Sequence, residues 1–156
     1  MIVVADTSPL NYLILIEQIQ ILEALYCQVI IPPAVQDELL SAGALPQVRS
    51  WMATPPAWLE VRSPLPAFRD SIALGAGESD AIVLAEQIGA DRIIMDETLG
   101  RGEALRRGLN IIGTLGVLRD AHRTGLLDLA TSMERLRTTS FRASPQILQA
   151  ILDSVQ

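Results

Sequence analysis

The sequence contains few of the residues that metal sites and covalent cross-links most often use. Its 156 residues include one cysteine, Cys27, and one histidine, His122. A disulfide within the chain, a multi-cysteine zinc site and a multi-histidine metal site are therefore excluded. No stretch of about 18 uncharged apolar residues occurs, and the apolar start lacks the basic residues of a signal segment. We therefore expect no membrane span and a cytoplasmic location.

Lysine is also absent, so all 12 basic residues are arginine, against 18 acidic residues and a net charge of −6. This balance excludes a nucleic-acid binder that is basic over its whole surface, but it does not exclude a local basic face. Residues 1–99 contain 4 arginines and 13 acids, whereas residues 100–156 contain 8 arginines and 5 acids. Any phosphate contact must therefore come from arginine, from the backbone or from a bound metal.

Short aliphatic runs alternate with longer segments of helical spacing. The runs lack the polar alternation of half-exposed strands, as is typical of buried parallel strands. Strands are predicted at 2–5, 29–31, 59–62, 92–95 and 110–112. Helices are predicted at 34–41, 79–88, 98–107, 114–123, 129–137 and 145–154. Repeated strand–crossover–strand units predict a three-layer α/β/α sandwich on a mostly parallel five-stranded sheet, in one domain over 1–156 with helices 128–156 as an extension.

Four acids occupy positions where such a fold places functional groups. Asp6 and Asp96 follow the first and fourth predicted strands, which are neighbours if the sheet order is 3-2-1-4-5. Ligands of open parallel sheets bind beyond the carboxyl ends of the strands, where the strand order reverses. Asp80 lies in the first turn of the helix before strand 4, and Glu38 lies on the helix after strand 2. We call these four residues the acidic quartet.

Carboxylates that converge without a basic partner repel one another unless they are protonated or neutralised by cations. Mg²⁺ and Mn²⁺, which prefer oxygen ligands, are the natural partners, and such sites commonly serve phosphate chemistry. Each acid also has a simpler interpretation. Asp6, Asp96 or Glu97 could cap the helix that follows, Asp80 could be an ordinary first-turn acid, and Glu38 could be solvated surface.

The segments that carry these acids resemble the PIN-domain family, in particular the VapC-like toxins of prokaryotic toxin–antitoxin modules. The resemblance extends in order from residue 2 to about residue 127 and includes a later segment running from Gly100 to Leu118. Its acidic motifs are VADTSPL at 4–10, IPPAVQDEL at 31–39, LGAGESDAI at 74–82 and IIMDE at 93–97.

The resemblance implies a PIN-like fold and a metal-dependent ribonuclease. The acidic quartet would bind one or two Mg²⁺ or Mn²⁺ ions, and Thr7 or Ser8 would help to order the site. A water activated by the metal would then attack an RNA phosphodiester in line. Glu97 stands where many relatives have a second aspartate, so a role for it at a second metal is an open alternative. Glu78 is set aside, because two positions from Asp80 it should point elsewhere on the helix.

The resemblance also implies an RNA substrate, a small antitoxin and a homodimer as partners. Arg101, Arg106 and Arg107 follow Asp96 on the next helix and would hold RNA phosphates, the alternative being a solvated helix face with salt bridges. The N-terminal helices carry an apolar stripe that is core, a homodimer face or an antitoxin groove. Its members are Tyr12, Leu13, Ile16, Ile19 and Leu22.

Two other functions remain open. A non-catalytic RNA- or protein-binding module could retain the same fold. A phosphatase could use Asp6 as a covalent nucleophile. That class expects a second aspartate two residues later, where this chain has Ser8, and a basic residue for the phosphate, although lysine is absent.

Overall fold

Five parallel strands form the centre of the protein in a computed structural model that describes residues 1–66 and 74–156. The strands are β1 Val3–Ala5, β2 Val29–Ile31, β3 Leu59–Val61, β4 Arg92–Ile94 and β5 Ile111–Ile112. Their order is β3-β2-β1-β4-β5 and every neighbouring pair is parallel. The predicted sheet order is therefore confirmed, and β1 and β4 are direct neighbours. Their carboxyl ends consequently meet at one edge of the sheet.

Nine helices accompany these strands in the described ranges. They are α1 Thr7–Leu15, α2 Ile21–Tyr26, α3 Pro33–Leu40, α4 Pro46–Ala53, α5 Ala76–Gln87, α6 Thr98–Arg106, α7 Thr114–Arg123, α8 Leu129–Arg137 and α9 Pro145–Asp153. The predicted ends of α5, α6 and α7 are confirmed by glycines in the left-handed region, at Gly89, Gly108 and Gly125. Residues with a side chain rarely adopt this backbone conformation, whereas glycine adopts it with little strain and so ends the helix there. Helix α4, which begins at Pro46, was not predicted.

The helices cover both faces of the sheet, which confirms the three-layer sandwich. Val3 and Ala5 of β1 pack into one apolar cluster, whereas Val4 between them packs into a second. Residues of α5 and α6, such as Ile82 and Ala104, belong to the second cluster. The other helices contribute to the first cluster. Because neighbouring strand residues face opposite sides, these two clusters are the two cores of the sandwich.

The N-terminal apolar stripe is mostly core. Leu13, Ile16, Ile19 and Leu22 are buried within the chain. Tyr12 is partly buried and contacts the segment between α8 and α9, where its hydroxyl lies 3.1 Å from the Ser140 hydroxyl. Four of the five side chains are therefore not on an exposed face that a partner could contact.

Among the described helices, none has both the length and the apolar character needed to cross a membrane.

Candidate functional site

Asp6 lies at the point where β1 meets the start of α1. Its backbone N–H donates to the carbonyl of Ile94 at 2.9 Å, which ties the end of β1 to the end of β4. Asp6 occupies the N-cap position of α1, but its side chain makes no capping hydrogen bond. The residue is only 2% exposed. Its Oδ1 has no hydrogen-bond partner among the described residues, so a simple capping role does not account for it.

The surroundings of Asp6 strongly disfavour its charged form. Burial, followed by the negative charges of Glu78, Glu38 and Glu97, raises its pKa to about 7. The backbone N–H of Thr7 partly opposes this effect. A buried carboxylate with three acids acting on it binds either a proton or a cation near neutral pH.

Glu38 connects three helices at this edge. Its carboxylate accepts hydrogen bonds from the hydroxyl of Thr7 on α1 and from the backbone N–H of Gly77 on α5, the latter at 3.0 Å. A Cβ at residue 77 would lie 2.5 Å from Glu38 Oε2, so only glycine leaves room for the carboxylate. Thr7, predicted to order the site, therefore orients Glu38. Ser8 lines a cleft together with Glu78, Asp96 and Glu97.

Glu78, which sequence reasoning set aside, lies in the same electrostatic environment. Its Oε2 is buried without a hydrogen-bond partner in the described ranges. Burial, followed by interactions with Glu97 and the charge of Glu38, raises the pKa of Glu78 to about 7. Its Oε2 lies where α6 approaches closely, since a Cβ at Gly100 would be 2.9 Å away. Gly100, which leaves room for this approach, is the sequence signal for it.

Asp80 is also buried on α5, at 9% exposure. Two residues along a helix correspond to a rotation of about 200°, so the side chains of Glu78 and Asp80 leave the helix in nearly opposite directions. After burial, the acids that raise the pKa of Asp6 are led by Glu78. The structure thus connects Glu78 to Asp6, and Asp80 remains a predicted site residue.

Asp96 lies just beyond β4, and its carboxylate contacts the start of α7. Its Oδ1 accepts from the backbone N–H of Thr114 at 2.8 Å, and its Oδ2 accepts from the Thr114 hydroxyl at 2.6 Å. Burial raises the pKa of Asp96, while Thr114 and the charge of Arg101 oppose the rise. Asp96 therefore caps α7 rather than the helix that follows it. Glu97 occupies the N-cap position of α6 without a side-chain capping bond.

The carboxylates interact electrostatically but do not form a closed ligand shell. Within residues 1–66 and 74–156, no group of three acidic, histidine or cysteine side chains is close enough to hold a metal ion. The donor chemistry nevertheless fits a hard cation. The unpartnered oxygens of Asp6 and Glu78 are both carboxylate oxygens, and the pKa values of both groups are raised to about 7.

A comparison with protein-family models adds to this geometry. A family model described as a PIN domain matches residues 2–156. The chain is a PIN-domain protein. Neither the comparison with curated proteins nor that with solved structures gave a match. The PIN fold is a nuclease-type fold, which agrees with acids at the carboxyl ends of β1 and β4.

A cleft of about 640 Å³ opens over the acids of this PIN domain. Glu78, Asp96 and Glu97 line it, and Phe141 and Arg142 contribute to its lining from the segment between α8 and α9. We call it the acidic cleft. Arg142 is not among the site residues predicted from the sequence, because nothing in its local sequence indicates that the C-terminal extension returns to the sheet edge.

The three arginines predicted to hold RNA phosphates have different surroundings. Arg107 forms ion pairs with Glu103 and Glu86 at 2.9 and 3.3 Å. Arg106 also pairs with Glu103 and is largely exposed. Arg101 instead donates to the carbonyl of Met95 at 2.9 Å, beside Asp96. Of the three, Arg101 is the one that the structure brings to the end of β4.

Proposed function

We propose that this PIN domain is a metal-dependent endoribonuclease that hydrolyses RNA phosphodiesters. The observation that carries the proposal is the buried, unpartnered oxygen of Asp6 at the carboxyl end of β1, in a carboxylate whose pKa is raised to about 7 by burial and, to a lesser extent, by neighbouring acids. A divalent cation would neutralise this repulsion. Membership of the PIN-domain family also supports a nuclease. A nuclease needs a polarised phosphate and an activated water, and a bound cation supplies both.

The acidic quartet of Asp6, Glu38, Asp80 and Asp96 would hold one or two Mg²⁺ or Mn²⁺ ions. Glu78 joins this proposal on the strength of its raised pKa, and Glu97 is an additional candidate. When bound, the ion supplies charge stabilisation and a more acidic water at the phosphate. Because no three ligands are gathered in the described residues, cation binding requires carboxylate side chains to move inward.

The chain's own residues hold two of these carboxylates in place before a cation binds. Thr7 and the N–H of Gly77 hold Glu38 beside α5, and Thr114 holds both oxygens of Asp96. Arg101, fixed on the carbonyl of Met95, places a positive charge next to Asp96. These contacts determine which carboxylate oxygens remain available for a cation and a phosphate.

We further propose that the protein is the toxin of a toxin–antitoxin pair, that it is a cytoplasmic homodimer, and that a small antitoxin inhibits it. The sequence motifs shared with VapC-like toxins support these assignments. Expression of the chain alone should arrest cell growth, and Asp6→Asn should relieve the arrest. A small neighbouring reading frame that encodes a DNA-binding protein would identify the antitoxin candidate.

The decisive test is cleavage by purified, antitoxin-free protein. Structured and unstructured RNAs are incubated with Mg²⁺, Mn²⁺ or EDTA, and the products are resolved by length. Cleavage should require the metal and should be abolished by Asp6→Asn. The matched control is Asp37→Asn, at an exposed aspartate on α3. The proposal fails if no RNA is cut, or if cutting survives both EDTA and Asp6→Asn.

A second candidate is a non-catalytic PIN-fold module that binds RNA or protein. The absence of a preformed three-ligand group among the described residues favours this candidate. Titration of the chain with Mn²⁺ by calorimetry distinguishes the two functions. Stoichiometric binding that Asp6→Asn removes supports the nuclease, whereas RNA binding without any Mn²⁺ binding supports the module.

A further inference from the structure

A second cleft adjoins the acidic cleft. It encloses about 520 Å³ and shares Asp96, Thr98, Phe141 and Arg142 with the acidic cleft. The two clefts are therefore neighbours that meet between the end of β4 and the segment joining α8 to α9. A linear polymer bound in one cleft could therefore extend directly into the other.

The second cleft has a different lining from the first. Three arginines line it, together with the apolar side chains of β5, α7 and α9; the arginines are Arg101, Arg119 and Arg142. We call it the arginine cleft. Its combination of positive charge and apolar surface suits a nucleotide, which has a charged phosphate and a flat base.

Two of these arginines are hydrogen-bonded to neutral carbonyl groups. Arg101 donates to the carbonyl of Met95 at 2.9 Å, and Arg142 donates to the carbonyl of Phe141 at 3.2 Å. Arg119 is paired with Asp120 at 3.1 Å. Arg142 is the exposed member of the set, so its charge is directed into solvent at the boundary of the two clefts.

The boundary segment is held against α1. The rings of Phe141 and Tyr12 meet edge to face with their centroids 5.1 Å apart. The Tyr12 hydroxyl lies 3.1 Å from the Ser140 hydroxyl, and the backbone N–H of Phe141 donates to Thr139 Oγ1 at 3.2 Å. Phe141 remains partly exposed between the clefts, so part of its ring is available for contact with a base.

We propose that the arginine cleft binds the nucleotide next to the cleavage position. Arg142, with Arg101 and Arg119, binds its phosphate, and Phe141 packs against its base. The inference rests on the proposed nuclease function and requires an unpaired base at this position, because a base within a duplex has no face free for Phe141.

The test measures binding without cleavage. A fluorescein-labelled single-stranded hexaribonucleotide is titrated with the full chain in EDTA, and fluorescence anisotropy gives the Kd. Arg142→Ala should weaken binding about tenfold and should lower the slope of log Kd against log salt by about one. Phe141→Leu, which keeps an apolar contact with Tyr12, should weaken binding about fivefold. A duplex of the same sequence should bind more weakly than the single strand.

Arg137→Ala is the matched control, because Arg137 is an exposed arginine paired with Glu134 on α8. Wild-type affinity in Arg142→Ala, or an equal loss in Arg137→Ala, overturns the inference. Duplex binding as tight as single-strand binding overturns it as well. RNA cleavage by a chain whose binding ignores Arg142 would leave the nuclease function standing, whereas Arg142-dependent binding without cleavage would leave the arginine cleft standing.

Discussion

Asp96 and Thr114 form a two-point contact between the ends of neighbouring strands. Both oxygens of the Asp96 carboxylate are used, one by the Thr114 backbone N–H at 2.8 Å and one by its hydroxyl at 2.6 Å. Asp96 follows β4, and Thr114 begins the helix that follows β5. The pairing therefore satisfies an N–H at the start of α7 and also fixes the orientation of a predicted metal ligand.

Thr114→Val should destabilise the protein in a pH-dependent way. Valine has the shape of threonine without its hydroxyl, so one oxygen of Asp96 loses its donor. Because that hydrogen bond favours the charged form, its loss should raise the pKa of Asp96 further and should cost about 1–3 kcal/mol where Asp96 is ionised. Urea unfolding at pH 8 and pH 4 measures the free energy of unfolding, and the loss should be smaller at pH 4.

Thr114→Ser is the control for this experiment. Serine keeps the hydroxyl and removes only a buried methyl group, which should cost about 1 kcal/mol at both pH values. If Thr114→Val and Thr114→Ser show the same pH dependence, the hydroxyl does not support the charge on Asp96.

Gly77→Ala should reduce activity without a matching loss of stability. Alanine usually stabilises a helix relative to glycine by about 0.5–1 kcal/mol. Here its Cβ would lie 2.5 Å from Glu38 Oε2, so the carboxylate would have to swing away from the Gly77 N–H. Displacing a site carboxylate by about 1 Å should lower kcat/KM for RNA by at least about tenfold, whereas the melting temperature should hardly change.

Gly102→Ala, on α6, is the control for Gly77→Ala, because it should leave the activity unchanged. A Cβ at Gly102 would have no atom within 4 Å. This variant should be stabilised by up to about 1 kcal/mol and should cleave RNA at the wild-type rate. Equal kcat/KM values for the two alanine variants would show that the position of Glu38 does not matter to the reaction.

In the presence of a chelator, Asp6→Asn should be more stable than the wild type, and the difference should grow as the pH rises. The pKa of Asp6 rises from 3.8 to about 7 on folding, so between these values the folded state binds more protons than the unfolded state. Stability from this group is therefore lost as the pH rises from about 4 to about 7, by a total on the order of a few kcal/mol. Asparagine carries no charge and avoids that loss.

Thermal unfolding in EDTA between pH 4 and pH 8 measures the difference. The unfolding temperature of Asp6→Asn should be higher than that of the wild type. This difference should increase up to about pH 7 and stay constant above pH 7. Asp37→Asn should follow the wild type at every pH. A constant margin across the range would mean that Asp6 is not buried as an ionisable group. Added Mn²⁺ should raise the wild-type midpoint and leave Asp6→Asn unchanged.

Local and non-local signals account for what the sequence could and could not predict. The strands and most helix ends were predictable, because aliphatic runs and glycines such as Gly89 act within a few residues. Helix α4 was missed because it is short and lies directly before a proline-rich stretch. The Asp96–Thr114 pairing depends on β4 and β5 being adjacent, and the position of Arg142 depends on how the segment between α8 and α9 packs against α1. Neither of these contacts between distant parts of the chain can be derived from sequence periodicity.

Glu78→Gln should show which acid of α5 acts on Asp6. Glutamine keeps the shape of glutamate and removes a negative charge that raises the pKa of Asp6, so that pKa should fall. Nuclear magnetic resonance of the carboxyl carbons in EDTA measures the change. If Glu78 also binds the cation, calorimetry should show a loss of Mn²⁺ affinity of at least about tenfold.

Asp80→Asn and Glu23→Gln complete this comparison. Asp80→Asn should weaken Mn²⁺ binding if all four acids of the acidic quartet bind the cation. It should lower the pKa of Asp6 less than Glu78→Gln does, because Glu78 has the largest effect on that pKa among the neighbouring acids. Glu23, exposed on α2, should affect neither quantity. An Asp6 pKa that stays near 7 in Glu78→Gln and falls in Asp80→Asn would reverse the assignment, because the acid facing Asp6 would then be Asp80.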